Sequence, residues 1–305
     1  MRSIEKKIHF LKVASTGVSF ESVLMAIDKL PEDQLYFKTD EFGGGVCLKE
    51  LHVKNDVYLG VLSKVRMDEL PSVATTGRRG TEALMIAENQ GLAESTHFAY
   101  FSKTGLLAIE YNHYGPRSST LRAYLIGKYN DIGGEPLPLV FEYILDEETL
   151  NLLADGNEIR LLSISVPKMY LGSLANEDEN IYAAFENASH FAEGGEVEIT
   201  MRMPSNKRNP DYNSVRQALL AKTRGLASMA PGVFSKLKAK VKPPVGRTVS
   251  VDLLENRFVA RIIVDFSGRS NDLNSTALYD GMIHAYQSNR KALALLSEYE
   301  QFDQK

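Results

Sequence analysis

VCLKELHVKNDVYLGVLSKV, residues 46–65, sets two apolar-rich, partly alternating runs on either side of Lys54-Asn55-Asp56. Alternation with period two puts successive side chains on opposite faces of an extended chain, so the stretch predicts a β-hairpin turning at those three residues. Gly43-Gly44-Gly45 precedes it. With no helix behind it and no Lys-Ser/Thr pair, that triplet reads as a turn and not as a phosphate loop.

The pattern extends in both directions. Residues 7–14 read as a strand, and residues 20–30 as a helix with Val23, Leu24, Ile27 and Leu30 on one side, Ser19 as N-cap and Pro31 as its stop. Residues 82–89 suggest a short helix. HFAYF and LLAIEYN predict a second hairpin across Lys103-Thr104-Gly105. Gly115-Pro116 then breaks the strand, and Ser118 or Ser119 can cap a helix with Leu121, Tyr124 and Leu125 inward. Strands are expected at 136–145, 160–166 and 196–203, with helices at 147–154 and 174–191.

Residues 213–229 are helical by pattern. The stretch after Pro231-Gly232 fits a helix through Phe234, Leu237 and Val241, or a strand through Leu237, Ala239 and Val241. Residues 248–254 and 258–266 predict a third hairpin across Glu255-Asn256-Arg257, and residues 272–299 a long terminal helix with Leu273, Leu278, Met282, Ala285 and Tyr286 along one side. Hairpins interleaved with helices define an α+β class with mostly antiparallel sheets, and the length leads us to expect two domains. The expected division is a mixed domain over 1–203, a basic helical or hinge segment over 204–247, and a hairpin with a long helix over 248–305.

At 305 residues with 44% apolar content the chain can bury a sizeable core. The charged opening MRSIEKKIHF is unlike a signal peptide, and no run approaches the length of a membrane span, which leads us to expect a cytoplasmic protein without membrane insertion. Cys47 is the sole cysteine, so an intramolecular disulfide and a thiolate zinc cluster are both excluded.

Charge is unevenly spread. Between Met201 and Arg247 stand eleven basic residues and one acid, Asp211; that segment carries +10, and with a net charge of −4 the remainder carries −14. Such a division can build one electropositive surface on an acidic body. Lys236, Lys238, Lys240 and Lys242 would share a face if extended, with Lys207, Arg208, Arg216 and Arg224 as a second group. These eight are the candidate DNA-binding residues, with the phosphate backbone as ligand.

Signs of catalysis are sparse. GxxxxGK[ST], GxSxG, HExxH, paired CxxC and an EF-hand loop are absent, and the six histidines are widely separated. Glu50 with His52, and Glu196 with Glu198, would each share a strand face, while Asp265, Glu196 and Lys49 could be gathered around a metal only on paper. The expectation is a non-enzymatic protein with no cofactor, no catalytic residue and no metal site, a metal-dependent nuclease being the remote alternative. Residues 111–129, YNHYGPRSSTLRAYLIGKY, interleave aromatics with Arg117, Arg122 and Lys128. Tyr111 and Tyr124 are assigned to core packing; Arg117, after Gly-Pro, is left open.

The stretch EYNHYGPRSSTLRAYLIGK resembles the RexA-like phage-exclusion proteins, which carry a Gly-Pro turn, a Ser/Thr-rich cap and a helix ending Leu-Ile-Gly-Lys, here Gly115, Pro116, Ser118, Leu125, Ile126, Gly127 and Lys128. EITMRMPSNKR and Leu237-Lys238-Ala239-Lys240 are similar to later elements of that family, as loosely is Ala285-Tyr286. The chain departs from it in Lys238 for arginine and in Pro243-Pro244, where the family has acids. The resemblance implies a homodimer, distantly like the RdgC proteins and the DNA-binding component of Kiwa-type systems, with sequence-independent binding of double-stranded DNA in phage exclusion or antiphage defence. It also implies a possible membrane-protein partner. The alternative from charge alone is an interaction or sensor protein that docks on an acidic protein.

Overall fold

The computed structural model describes residues 2–39, 44–67, 71–74, 76–77, 79–87, 90–133, 137–168, 171, 179–190, 195–203, 210–228, 234–266 and 275–298. Its class is α+β, with antiparallel sheets and interleaved helices. Two compact units divide the chain: residues 1–140 with 260–288, and residues 141–259 with 289–305. The expected boundaries at 203 and 247 both fall inside the second unit, because the chain passes into it and returns.

In the first unit the central hairpin is β3 (Gly45–Lys54) and β4 (Val57–Arg66), in register Lys54↔Val57. Asn55 and Asp56 take φ of 51° and 62°, the left-handed pair that a two-residue reversal between twisted strands requires. β7 (Leu92–Phe101) pairs β4 and turns into β8 (Leu106–Glu110), which pairs β1 (Arg2–Ser15). With β2 (Phe37–Lys38) and β14 (Val259–Phe266) the strand path runs β14-β1-β8-β7-β4-β3-β2.

Helices cover both faces of this sheet. On one lie α1 (Phe20–Asp28), capped by the Ser19 hydroxyl accepting from the Ser22 N–H, and α2 (Ser118–Asp131). Phe20 packs edge-on against Tyr100 at 4.6 Å. The fully buried Tyr124 accepts a hydrogen bond at its Oη from the Leu48 N–H at 3.1 Å and donates to the Leu35 carbonyl at 3.0 Å, which satisfies backbone where a bulge between Leu48 and Glu50 interrupts the ladder. On the other face α6 (Ser275–Glu298) buries Leu278, Met282 and Ala285 and stacks Tyr286 on Phe101, ring centroids 3.8 Å apart.

The second unit is a four-stranded sheet in the order β11-β10-β12-β13: β11 (Glu196–Arg202), β10 (Glu158–Pro167), β12 (Lys236–Lys242) and β13 (Val249–Asp252). Leu162, Ile164, Leu237, Ala239, Val241 and Val251 fill one face against α4 (Glu179–Ser189) and α5 (Tyr212–Ser228). A short helix, α3 (Glu147–Leu152), begins under an Asp146 cap. β9 (Leu139–Tyr143) is the eighth strand of the first sheet, pairing β1 beside the main path. The helix-or-strand ambiguity after Pro231-Gly232 resolves as strand, because residues 237, 239 and 241 must all face the helices. Pro231-Gly232 itself lies outside the described residues.

Four sequence expectations are corrected. Residues 81–83 form a strand, β6 (Thr81–Ala83), paired with β5 (Ser72–Ala74), where a helix over 82–89 was expected; a three-residue pairing takes the start of that short pattern. Helix α2 has Arg117 at its N-cap with no side-chain cap, and Ser118 is its first buried helical residue. Tyr111 is 41% exposed and not core. The third hairpin does not form: β13 pairs β12, whereas β14 enters the other sheet. Asp252 turns the chain by accepting at its carbonyl from the Asn256 N–H, and Phe258 N–H then donates to the Ile144 carbonyl, so the intervening residues leave the ladder instead of closing it.

Gly60 stands where a β-carbon would lie 2.3 Å from Phe98 Cζ. Gly60→Ala should therefore lower unfolding free energy by about 1–3 kcal/mol through overpacking, measured by denaturant titration; an unchanged midpoint would contradict this packing.

Candidate nucleic-acid interface

β12 alternates Lys236, Lys238, Lys240 and Lys242 outward with Leu237, Ala239 and Val241 inward, since the described helices pack on one face of its sheet. Cross-strand register adds neighbours on the outer face. Lys236 lies beside Ser165 and then Glu198; Lys238 beside Ser163 and Thr200 on one side and Asp252 on the other; Lys240 beside Leu161 and then Arg202, with Ser250 opposite. Adjacent strands are roughly 4.8 Å apart and alternate residues roughly 7 Å apart along a strand, so Lys240, Lys242 and Arg202 occupy one small field.

Charge is not uniform across that field. Lys236 Nζ donates to Glu198 at 2.6 Å, and Lys238 Nζ to Asp252 at 3.0 Å. Hydrogen bonding to Asp252, with its negative charge, raises the Lys238 pKa and keeps that ammonium protonated. Lys242 Nζ donates to the neutral Gly246 carbonyl, and the residue opposite it in the register, Glu158, is paired with Arg160 at 2.9 Å. Among the described residues neither Lys240 nor Arg202 is in an ion pair, and both are exposed. The positive potential is therefore concentrated at the Lys240, Lys242 and Arg202 end.

The other candidates lie elsewhere. Arg216 donates to the carbonyls of Gly156 and Asn157, and Arg224 to the Leu153 carbonyl and to Asp155, so both guanidinium groups brace the turn after α3 from helix α5. Lys207 and Arg208 lie outside the described residues. Arg202 is one of the eleven basic residues of the segment but not one of the eight candidates, because it ends an ordinary alternating strand; only the register Arg202↔Leu161↔Lys240 joins it to the lysines.

A second polar cluster, in the first unit, was also invisible in sequence. Glu110, 3% exposed, accepts from Lys6 Nζ at 2.7 Å and from the His97 backbone N–H and Nδ1 at 3.2 and 2.9 Å, while His97 Nε2 lies 3.1 Å from Ser275 Oγ. Its connectivity is that of a nucleophile, base and carboxylate. However, Lys6 neutralises the carboxylate that such a relay needs, and the His97 ring is buried edge-on against Tyr279. The network thus anchors the start of α6 to the sheet.

Other chemistry is weakly furnished. Burial pushes the Cys47 thiol up, although Lys49 opposes it, which disfavours a thiolate. Asp265 and Lys49 belong to one unit and Glu196 to the other; Asp265 accepts from Ser3 and Glu196 from Ser235. Glu50 and His52 meet at 3.4 Å on the surface. Among the described residues no group of three or more His, Cys, Asp or Glu side chains could hold a metal ion, and no helix is long and apolar enough to cross a membrane. An open cavity of about 410 Å³ in the second unit is lined by Glu147, Glu148, Asn151, Leu152 and Val249, a setting that repels anions. No protein-family model and no curated protein matches this chain.

Burial alone would raise the Glu110 pKa, but the hydrogen bonds from His97 and Lys6 and the Lys6 charge outweigh it, holding the carboxyl below its ordinary 4.5. A depressed native pKa contributes stability that is complete above the unfolded value and is lost as pH falls through the folded one. Acid titration of the unfolding free energy should show that loss below about pH 4.5. Glu110→Gln should flatten it and cost about 3 kcal/mol at neutral pH by leaving Lys6 unpaired; an acid limb identical to wild type would refute the network.

Proposed function

We propose that this protein binds double-stranded DNA without sequence preference, as a non-enzymatic component, through the outer face of its four-stranded sheet. The observation that carries the reading is the grouping of Lys240, Lys242 and Arg202 at one end of a face that no described helix covers, with no carboxylate bound to Lys240 or Arg202 among the described residues. Phosphate oxygens are the ligands such a field attracts, and base edges play no part in it. Lys236 and Lys238 form the border, since exposed ion pairs contribute little and exchange with other anions. The resemblance to RexA-like proteins supports placing this activity in phage exclusion or antiphage defence. It also supports a homodimer acting in the cytoplasm, with a membrane-protein partner.

Gel shifts and salt titrations of a duplex test it. Each neutralised phosphate contributes about −0.9 to the slope of log affinity against log salt. Lys240→Ala with Arg202→Ala should reduce that slope by about 2, and Lys240→Glu with Arg202→Glu should abolish the shift. A slope unaltered by the double substitution would remove this face from the account.

The pairs Lys236 with Glu198 and Lys238 with Asp252 favour a second reading, docking of an acidic protein, because the face already accepts carboxylates in this geometry. In that case purified protein ignores duplex DNA at moderate salt.

A further inference from the structure

We propose that the loop from Tyr111 to Arg117 in the first unit is a stacking platform for unpaired nucleobases of a single-stranded nucleic acid. Tyr114 is 66% exposed and Tyr111 41% exposed, so both rings offer part of a face to solvent. The rings are joined by a cation and two imidazoles. Arg117 lies 5.7 Å from the Tyr111 centroid, His9 packs on the same ring at 5.6 Å, and His113 meets Tyr114 edge-on at 5.0 Å.

The backbone beneath them is pinned. The Tyr111 N–H donates to the Lys7 carbonyl at 2.8 Å, Asn112 Nδ2 donates to the Ser95 carbonyl at 2.8 Å, and the Tyr114 N–H donates to Asn112 Oδ1 at 3.2 Å. Gly115 and Pro116 are buried, and a β-carbon on Gly115 would lie 2.5 Å from Thr96 Oγ1. A loop held this firmly loses little conformational entropy on binding.

Charge selects the ligand. From Tyr111 to Asn130 there is no acidic residue. Arg122 is occupied by the Leu139 carbonyl and Lys128 by Asp131, so Arg117 is the cation offered beside the rings, with exposed Lys7 next to them. Aromatic faces flanked by a guanidinium suit a base and its phosphate, a pairing that tolerates any base because each has a π-face. A duplex hides those faces. The platform is therefore distinct from the sheet of the second unit and does not depend on it.

Fluorescence anisotropy of the full chain with labelled oligothymidylate and oligouridylate of about twelve nucleotides tests the proposal. Binding of either is expected. Tyr114→Ala should weaken it roughly ten-fold and Tyr114→Phe should retain it, because stacking needs the ring and not the hydroxyl. Lys240→Glu with Arg202→Glu should leave it within about two-fold while removing duplex binding, so failure of one site is distinguishable from failure of the other. No binding by the wild type, or equal affinity of Tyr114→Ala and wild type, would overturn the platform.

Discussion

A sheet covered by helices on one face must present the alternate side chains of every strand to whatever lies on the other, and this constraint organises the second unit. β12 runs between β10 and β13, so Leu237, Ala239 and Val241 are claimed by the core and the four lysines have only the outer face available. The register then decides their company. Lys236 and Lys238 fall opposite strands that carry Glu198 and Asp252, whereas Lys240 shares its row with Leu161, Arg202 and Ser250. One repeating sequence, KLKAKVK, thus yields two electrostatic environments within a few residues.

The first sheet obeys the opposite condition, with helices on both faces, and it handles polarity differently. Polar groups that fall inward are satisfied: Glu110 collects Lys6 and His97, and His97 reaches Ser275 at the start of α6. Tyr124 does the same for the bulge in β3. At Tyr111 to Arg117, by contrast, aromatic rings and a guanidinium are exposed on a tightly held loop. The two units therefore offer chemically different surfaces, one of flexible ammonium groups and one of fixed rings.

Local chemistry was legible in the sequence and distant pairing was not. The hairpin at Asn55-Asp56, the Ser19 cap and the turn between Phe101 and Leu106 are each specified within a few residues. The apparent third hairpin failed because the pattern of 248–266 fits strands without saying which partner each finds; β13 and β14 belong to different sheets. Likewise Arg216 and Arg224 looked like available cations, yet their helix packs where the carbonyls of residues 153–157 need donors. Glu110, His97 and Ser275 gave no motif, being brought together by the sheet and a helix far along the chain.

The central claim is that a duplex lies on the Lys240 end of the outer face, and protection from chemical acetylation reads it residue by residue. With saturating duplex, the account predicts that Lys240 and Lys242 are shielded while Lys103, 80% exposed in the first unit, reacts as in the free protein. Equal modification of Lys240 with and without duplex would contradict it.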